Sequence, residues 1–128
     1  MPRGSLRQRV LVRSAANITN GAAYESGGLQ VQSDVLNDPQ SDYTGLLIMA
    51  NASGNGQLQL YWGYQLADLA VLPVAVGITV QQNFNLVGGA VTGLVVASPV
   101  YAPYLRVRFL NNSGLDYTSF RLHVYGLE

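Results

Sequence analysis

A single histidine, His123, and the absence of cysteine leave this chain little from which to build a reactive centre. A Ser-His-Asp arrangement would have to use that one imidazole, yet no acidic residue stands near it in sequence to orient the ring. A histidine-rich or thiolate metal site is impossible on the same count. Asp34, Asp38 and Asp42 surround Pro39, with Asn37 and Ser41 as further oxygen donors, and hard oxygen sets of this kind suit calcium. Their spacing matches no EF-hand loop, however, and Asp, Asn and Ser are ordinary turn formers. With only Glu25 and Glu128 as glutamates, a paired-carboxylate glycosidase site has no second member in a strand context. Neither Gly54-Asn55-Gly56 nor the Gly88 to Gly93 segment has the spacing of a phosphate-binding loop. The expectation is a protein with no catalytic set, no cofactor and no metal.

The residues that remain able to do something are those that bind. All seven basic residues are arginine, a side chain that forms planar bidentate pairs and is enriched at interfaces. Alternation places Arg7, Arg9 and Arg13 on one strand face. Arg106, Arg108, Arg121 and His123 fall on another. These rows are candidates for contact with an acidic neighbour, or else for a solvated face partly neutralised by Glu25, Asp34 or Asp116, a kind of pairing that contributes little. Charged residues make up 11% and the net charge is zero, so the basic excess that duplex nucleic acid requires is missing. A second candidate is the apolar connection Leu66 to Ile78, with Leu69, Val71, Leu72 and Val74. Lying on the surface it would be a larger patch than monomers normally expose; otherwise it is another buried strand. In Tyr61-Trp62-Gly63-Tyr64, alternation sends Trp62 and Tyr64 inward with Leu58 and Leu60, and only Tyr61 outward with Gln57 and Gln59.

These side chains have to be held by strands, because period-two alternation dominates and no long segment carries a helical stripe. Strands are expected at Leu6–Arg13, Leu29–Leu36, Thr44–Asn51, Gln57–Tyr64, Gly77–Leu86, Ala90–Ala97 and twice between Ala102 and Gly126. Asn17 to Gly28 reads as turn-rich. Thr44–Asn51 (TGLLIMAN) is apolar on both faces, as in a central strand covered twice, and Gln57–Tyr64 returns as its partner after a Ser-Gly turn. The last stretch reads as an antiparallel hairpin across Asn111–Asp116, with Arg106 near His123 and Arg108 near Arg121. Length and turn spacing give one domain, 1–128, with a short N-terminal arm at about residues 1–5. The fold class expected is an all-β, antiparallel, jelly-roll-like sandwich of eight or nine strands. No apolar leader follows Met1-Pro2-Arg3-Gly4-Ser5, and the longest apolar run, Leu69 to Ile78, contains Pro73 and is too short to cross a bilayer. Neither export by a leader nor a membrane is expected.

Ala102-Pro103-Tyr104-Leu105-Arg106, the following Gly-containing turn and the final strand Phe120 to Tyr125 resemble the close of small β-sandwich virion proteins of tailed bacteriophages. Gly45 to Tyr64 is similar to paired strands in the same proteins. The resemblance covers about half the chain and is one of strand and turn pattern. It implies a non-enzymatic structural protein, a capsid decoration or cement protein on the virion surface. Its partners would be the major capsid protein and copies of itself in a trimer. The alternative is a lectin-like carbohydrate- or receptor-binding module using Tyr61, Tyr101 or Tyr104.

Overall fold

Alternating sequences become strands whose apolar sides must find a shared cover, and here they find it in each other. The computed structural model describes residues 8–15, 17–32, 43–69, 79–87 and 93–127. Among them stand β1 (Gln8–Ser14), β2 (Ala23–Gln30), β3 (Gly45–Ala52), β4 (Gly56–Gly63), β5 (Thr79–Leu86), β6 (Gly93–Pro99), β7 (Tyr104–Asn111) and β8 (Phe120–Leu127). Sheet one has the order β1-β8-β3-β6 and sheet two the order β2-β7-β4-β5. Every pairing is antiparallel. Consecutive strands change sheet at each connection except β4 to β5, which is the winding of a jelly roll.

That winding corrects two expected hairpins. β7 and β8 lie in opposite sheets, as do β3 and β4. The apolar sides of β7 (Leu105, Val107, Phe109) and β8 (Phe120, Leu122, Val124) are fully buried and belong to one core. They oppose each other across that core instead of lying side by side in one sheet. A consequence is that Arg106 and Arg108 stand on the outer face of sheet two, and Arg121 and His123 on that of sheet one. The physical reason is that alternation specifies which side of a strand is buried. It does not specify whether the neighbour in sequence lies beside it or opposite it.

A third difference concerns β2. The dipeptide Gly27-Gly28, expected to mark a turn, sits inside the strand. The pairing of β2 with β7 slips between Glu25 and Gly28, and Gly27 takes φ 70°, a left-handed conformation that glycine adopts without penalty. Ser26 Oγ accepts the Val107 amide at 2.9 Å, a side-chain bond made at the slip. The strand therefore begins six residues earlier than the expected Leu29.

Trp62 fills the core at one end and donates its indole N–H to Gln82 Oε1 at 2.9 Å. At the other end Phe109, Tyr117 and Phe120 cluster, with the Phe109 and Phe120 centroids 5.1 Å apart and Tyr117 stacked on Phe120. The β7–β8 crossover is tied there by Asn111, which is fully buried. Its amide donates to Ile18 O and Leu115 O, both at 2.9 Å. Its carbonyl accepts Ser113 N at 3.0 Å and Ser113 Oγ at 2.7 Å.

Candidate functional site

Sheet two turns outward a polar face that is already bonded to itself. Glu25, on β2, receives Arg106 Nε at 3.1 Å on one carboxylate oxygen and Arg108 Nε at 2.7 Å on the other. Arg108 continues to Gln59 Oε1 at 2.9 Å. Gln59 donates to Gln57, and Gln57 donates to Asn85. Arg106 also donates to the carbonyl of Leu69 at 2.6 Å. Leu69 lies in the 3-10 helix Leu66–Leu69, whose Leu66 packs where a side chain on Gly28 would stand. Both guanidinium groups expected to seek a neighbour's acid have thus found one within the chain.

Sheet one presents the opposite surface. The pairings align Arg13, His123, Met49 and Val95 in one row across β1, β8, β3 and β6. A second row runs Arg121, Asn51, Gly93, and a third runs Val10, Tyr125, Leu47, Ala97. Rows two residues apart are about 6.8 Å from each other along the strands. Val10, Met49 and Val95 are 48%, 45% and 64% exposed. A groove of about 270 Å³ lies beside Met49 and Val95, lined by them and by Asn51, Arg121 and His123. His123 Nδ1 is 3.0 Å from the Tyr125 hydroxyl. Among the described residues, no carboxylate pairs with Arg13 or Arg121. None of the four strands of this sheet contains an Asp or Glu.

Of the residues singled out by sequence, the fold brings Arg13 beside His123, with Arg121 one row away, and sends Arg106 and Arg108 to the far side of the molecule. On β1 the pairing slips between Val10 and Val12. Strict alternation from Arg9 to Arg13 is therefore broken, and Arg9 is opposite Gly126 while Arg13 is opposite His123. Leu69 is buried, so it is no part of an exposed apolar patch, although Leu66 remains exposed. Arg7, Val71, Leu72, Val74, the Asp34/Asp38/Asp42 loop and the N-terminal arm lie outside the described residues, as does the side chain of Arg9. Tyr61 does turn outward but is only 6% exposed, its hydroxyl bonded to Gln59. Tyr64, past the end of β4, is exposed instead of buried with Leu60.

Val10, Met49 and Val95 were missed by sequence reasoning. The available signal was the two-sided apolarity of Thr44–Asn51. In the structure β3 is central, between β8 and β6, and its Leu46, Ile48 and Ala50 side is buried. The other side has no second layer among the described residues, as Met49 demonstrates.

The described residues together define a jelly-roll sandwich whose sheet two pairs its outer charges internally, while on sheet one no described carboxylate pairs with Arg13 or Arg121. No family model and no curated protein matches the chain. Among solved structures it is similar to the crystal structure of PBSX exported protein XepA, with a TM-score of 0.63 at 17% identity over 94% of this chain. The chain spans about a third of that protein's length, 36%.

Proposed function

We propose that this chain is a non-enzymatic structural protein of a phage particle, a decoration module on the capsid surface that assembles through the outer face of sheet one. The observation behind this reading is that β3 has apolar side chains on both faces and the described residues cover only one of them. Apolar area left open and rimmed by polar groups is the mark of a surface meant to meet another protein. The fold match to a phage PBSX protein supports a phage setting, and so does the resemblance of the Ala102–Tyr125 segment to virion β-sandwiches. In this reading the major capsid protein is the partner, and copies of the chain associate as a trimer. Of the tyrosines the lectin-like alternative would use, Tyr61 is buried, Tyr104 is half-buried and Tyr101 is exposed, packed edge-on against the buried Trp62, and the amides of sheet two are engaged with one another.

The test is particle association. Purified particles should contain the protein in a fixed ratio to the main shell subunit, and particles made without it should break at lower temperature or under milder osmotic shock. Equal resistance of both kinds of particle would refute reinforcement. A chain never found with particles would refute the phage-structural reading as a whole.

A further inference from the structure

We infer that the outer face of sheet one is a docking site for an acidic and apolar segment of a partner protein. The segment would lie across the strands, with its carboxylates over β1 and β8 and its apolar side chains over β3 and β6. The inference deepens the assembly reading above and rests on it in taking the occupant to be a protein.

The face has a polarity that selects this occupant. Its basic-type groups, Arg13, Arg121 and His123, all belong to β1 and β8. Of its exposed apolar side chains, Met49 and Val95, in the row of His123, belong to β3 and β6, while Val10 lies on β1 in the row of Tyr125. From Arg13 to Val95 the row crosses three strand spacings, about 14 Å, so the acid and the apolar anchor of the segment are separated by a few residues of extended chain. The groove formed by Met49, Asn51, Val95, Arg121 and His123 lies where the two halves meet. Arg121 can present two parallel N–H donors to a carboxylate, and Asn51 stands next to it in register.

A second copy of the chain using the same face is disfavoured. That arrangement would bring arginines of both copies onto a surface whose strands hold no Asp or Glu, and like charges brought together across an interface are strongly unfavourable. Sheet two shows the contrast, since there the same chain supplies its own Glu25 to Arg106 and Arg108. The strands of sheet one hold no carboxylate and no described one pairs with Arg13 or Arg121, and in this proposal the occupant brings it.

The experiment uses the full chain and three fluorescent extended peptides read by anisotropy, each with its contact residues spaced by Ser on one face: Glu/Leu, with two Glu followed by two Leu; Lys/Leu, with Lys for each Glu; and Glu/Ser, with Ser for each Leu. The Glu/Leu peptide should bind, and both others should bind at least about tenfold more weakly. Arg121→Glu and Val95→Glu should each lower Glu/Leu affinity by about tenfold or more, while Asn83→Lys on the opposite sheet should not change it. Circular dichroism melts of the variants separate lost binding from lost folding, and both altered residues are exposed. Equal binding of the Glu/Leu and Lys/Leu peptides, or unchanged affinity in Arg121→Glu, would overturn the site. So would sedimentation showing a dimer that Val95→Glu dissolves, because the occupant would then be a second copy. A failure of particle association with peptide binding intact would remove the virion reading and leave the docking site standing.

Discussion

Replacing Asn111 by alanine should destabilise the protein by about 2–3 kcal/mol, which is large for a loop-proximal polar residue. The side chain is fully buried and makes four hydrogen bonds, to Ile18 O, Leu115 O, Ser113 N and Ser113 Oγ, the full capacity of a carboxamide. A net contribution of about 1 kcal/mol per bond gives an upper value near 4 kcal/mol. The loss is smaller because two of the acceptors find another donor: Tyr117 N still reaches Ile18 O, and the Ser113 hydroxyl, its one proton released from Asn111, turns to Leu115 O. Trp62 is the sole tryptophan and is buried, so its fluorescence reports urea unfolding directly. With a slope of about 1–3 kcal/mol per molar, the midpoint should fall by about 0.7–3 M. Asn111→Asp should be at least as damaging at neutral pH, because a carboxylate oxygen then replaces the donor facing the Ile18 and Leu115 carbonyls. The neighbouring exposed Asn112→Ala should stay within about 0.5 kcal/mol. A midpoint shift below about 0.3 M for Asn111→Ala, or a well-tolerated aspartate, would refute the view that this amide ties the β7–β8 crossover to the β1–β2 connection.

Glu25→Gln should cost about 1 kcal/mol in low salt and less near 1 M salt, since it leaves Arg106 and Arg108 adjacent without their shared carboxylate; a salt-independent loss in urea titrations would contradict the electrostatic account. Burial pushes the Tyr117 hydroxyl up to about 12 from its ordinary 10. The folded state therefore holds that proton longer than the unfolded chain does, and stability present below pH 10 should drain away as pH rises from 10 towards 12. Tyr117→Phe should show a flatter profile in that window, and an unchanged slope would assign the effect elsewhere, for instance to Tyr24, whose hydroxyl is raised by burial as well. Gly56→Ala should lower the thermal midpoint through an overpacking penalty of about 1–3 kcal/mol, because its new methyl would stand 2.7 Å from Phe109 Cζ and also against the Tyr117 hydroxyl.

Strand identity was largely legible in the sequence because β4, β7 and β8 alternate on their core sides and β3 is an apolar run bounded by turn residues, and the sandwich class followed from that. Partnership was not legible. The Ser53–Asn55 and Asn112–Ser119 connections look like hairpin turns, yet each takes the chain from one sheet to the other. The same apolar alternation satisfies either geometry, and long-range pairing decides between them. This is why Arg108 and Arg121, assigned to one surface by the hairpin reading, belong to opposite ones. The bulge at Gly27 hid β2 for a similar local reason, since Gly-Gly is also a turn signal. The exposed face of sheet one was half visible: TGLLIMAN announced two covered sides. Only the fold could reveal that the core supplies one cover and the described residues supply no second.

The place of β8 between β1 and β3 has a bearing on how the molecule is made. Sheet two can be complete once Asn111 has left the ribosome, since β2, β4, β5 and β7 all precede that point. Sheet one cannot, because among the described residues β1, the first of these eight strands, has as its ladder partner β8, the last of them. Until β8 arrives, the inner faces of β1 and β3 have no shared ladder, and the unpaired backbone of each can template a foreign strand. Closure by such distant pairing is intrinsically slow. The finished surface on which Arg13, Arg121 and His123 meet therefore comes into existence in a single late step, and no part-made chain can display it.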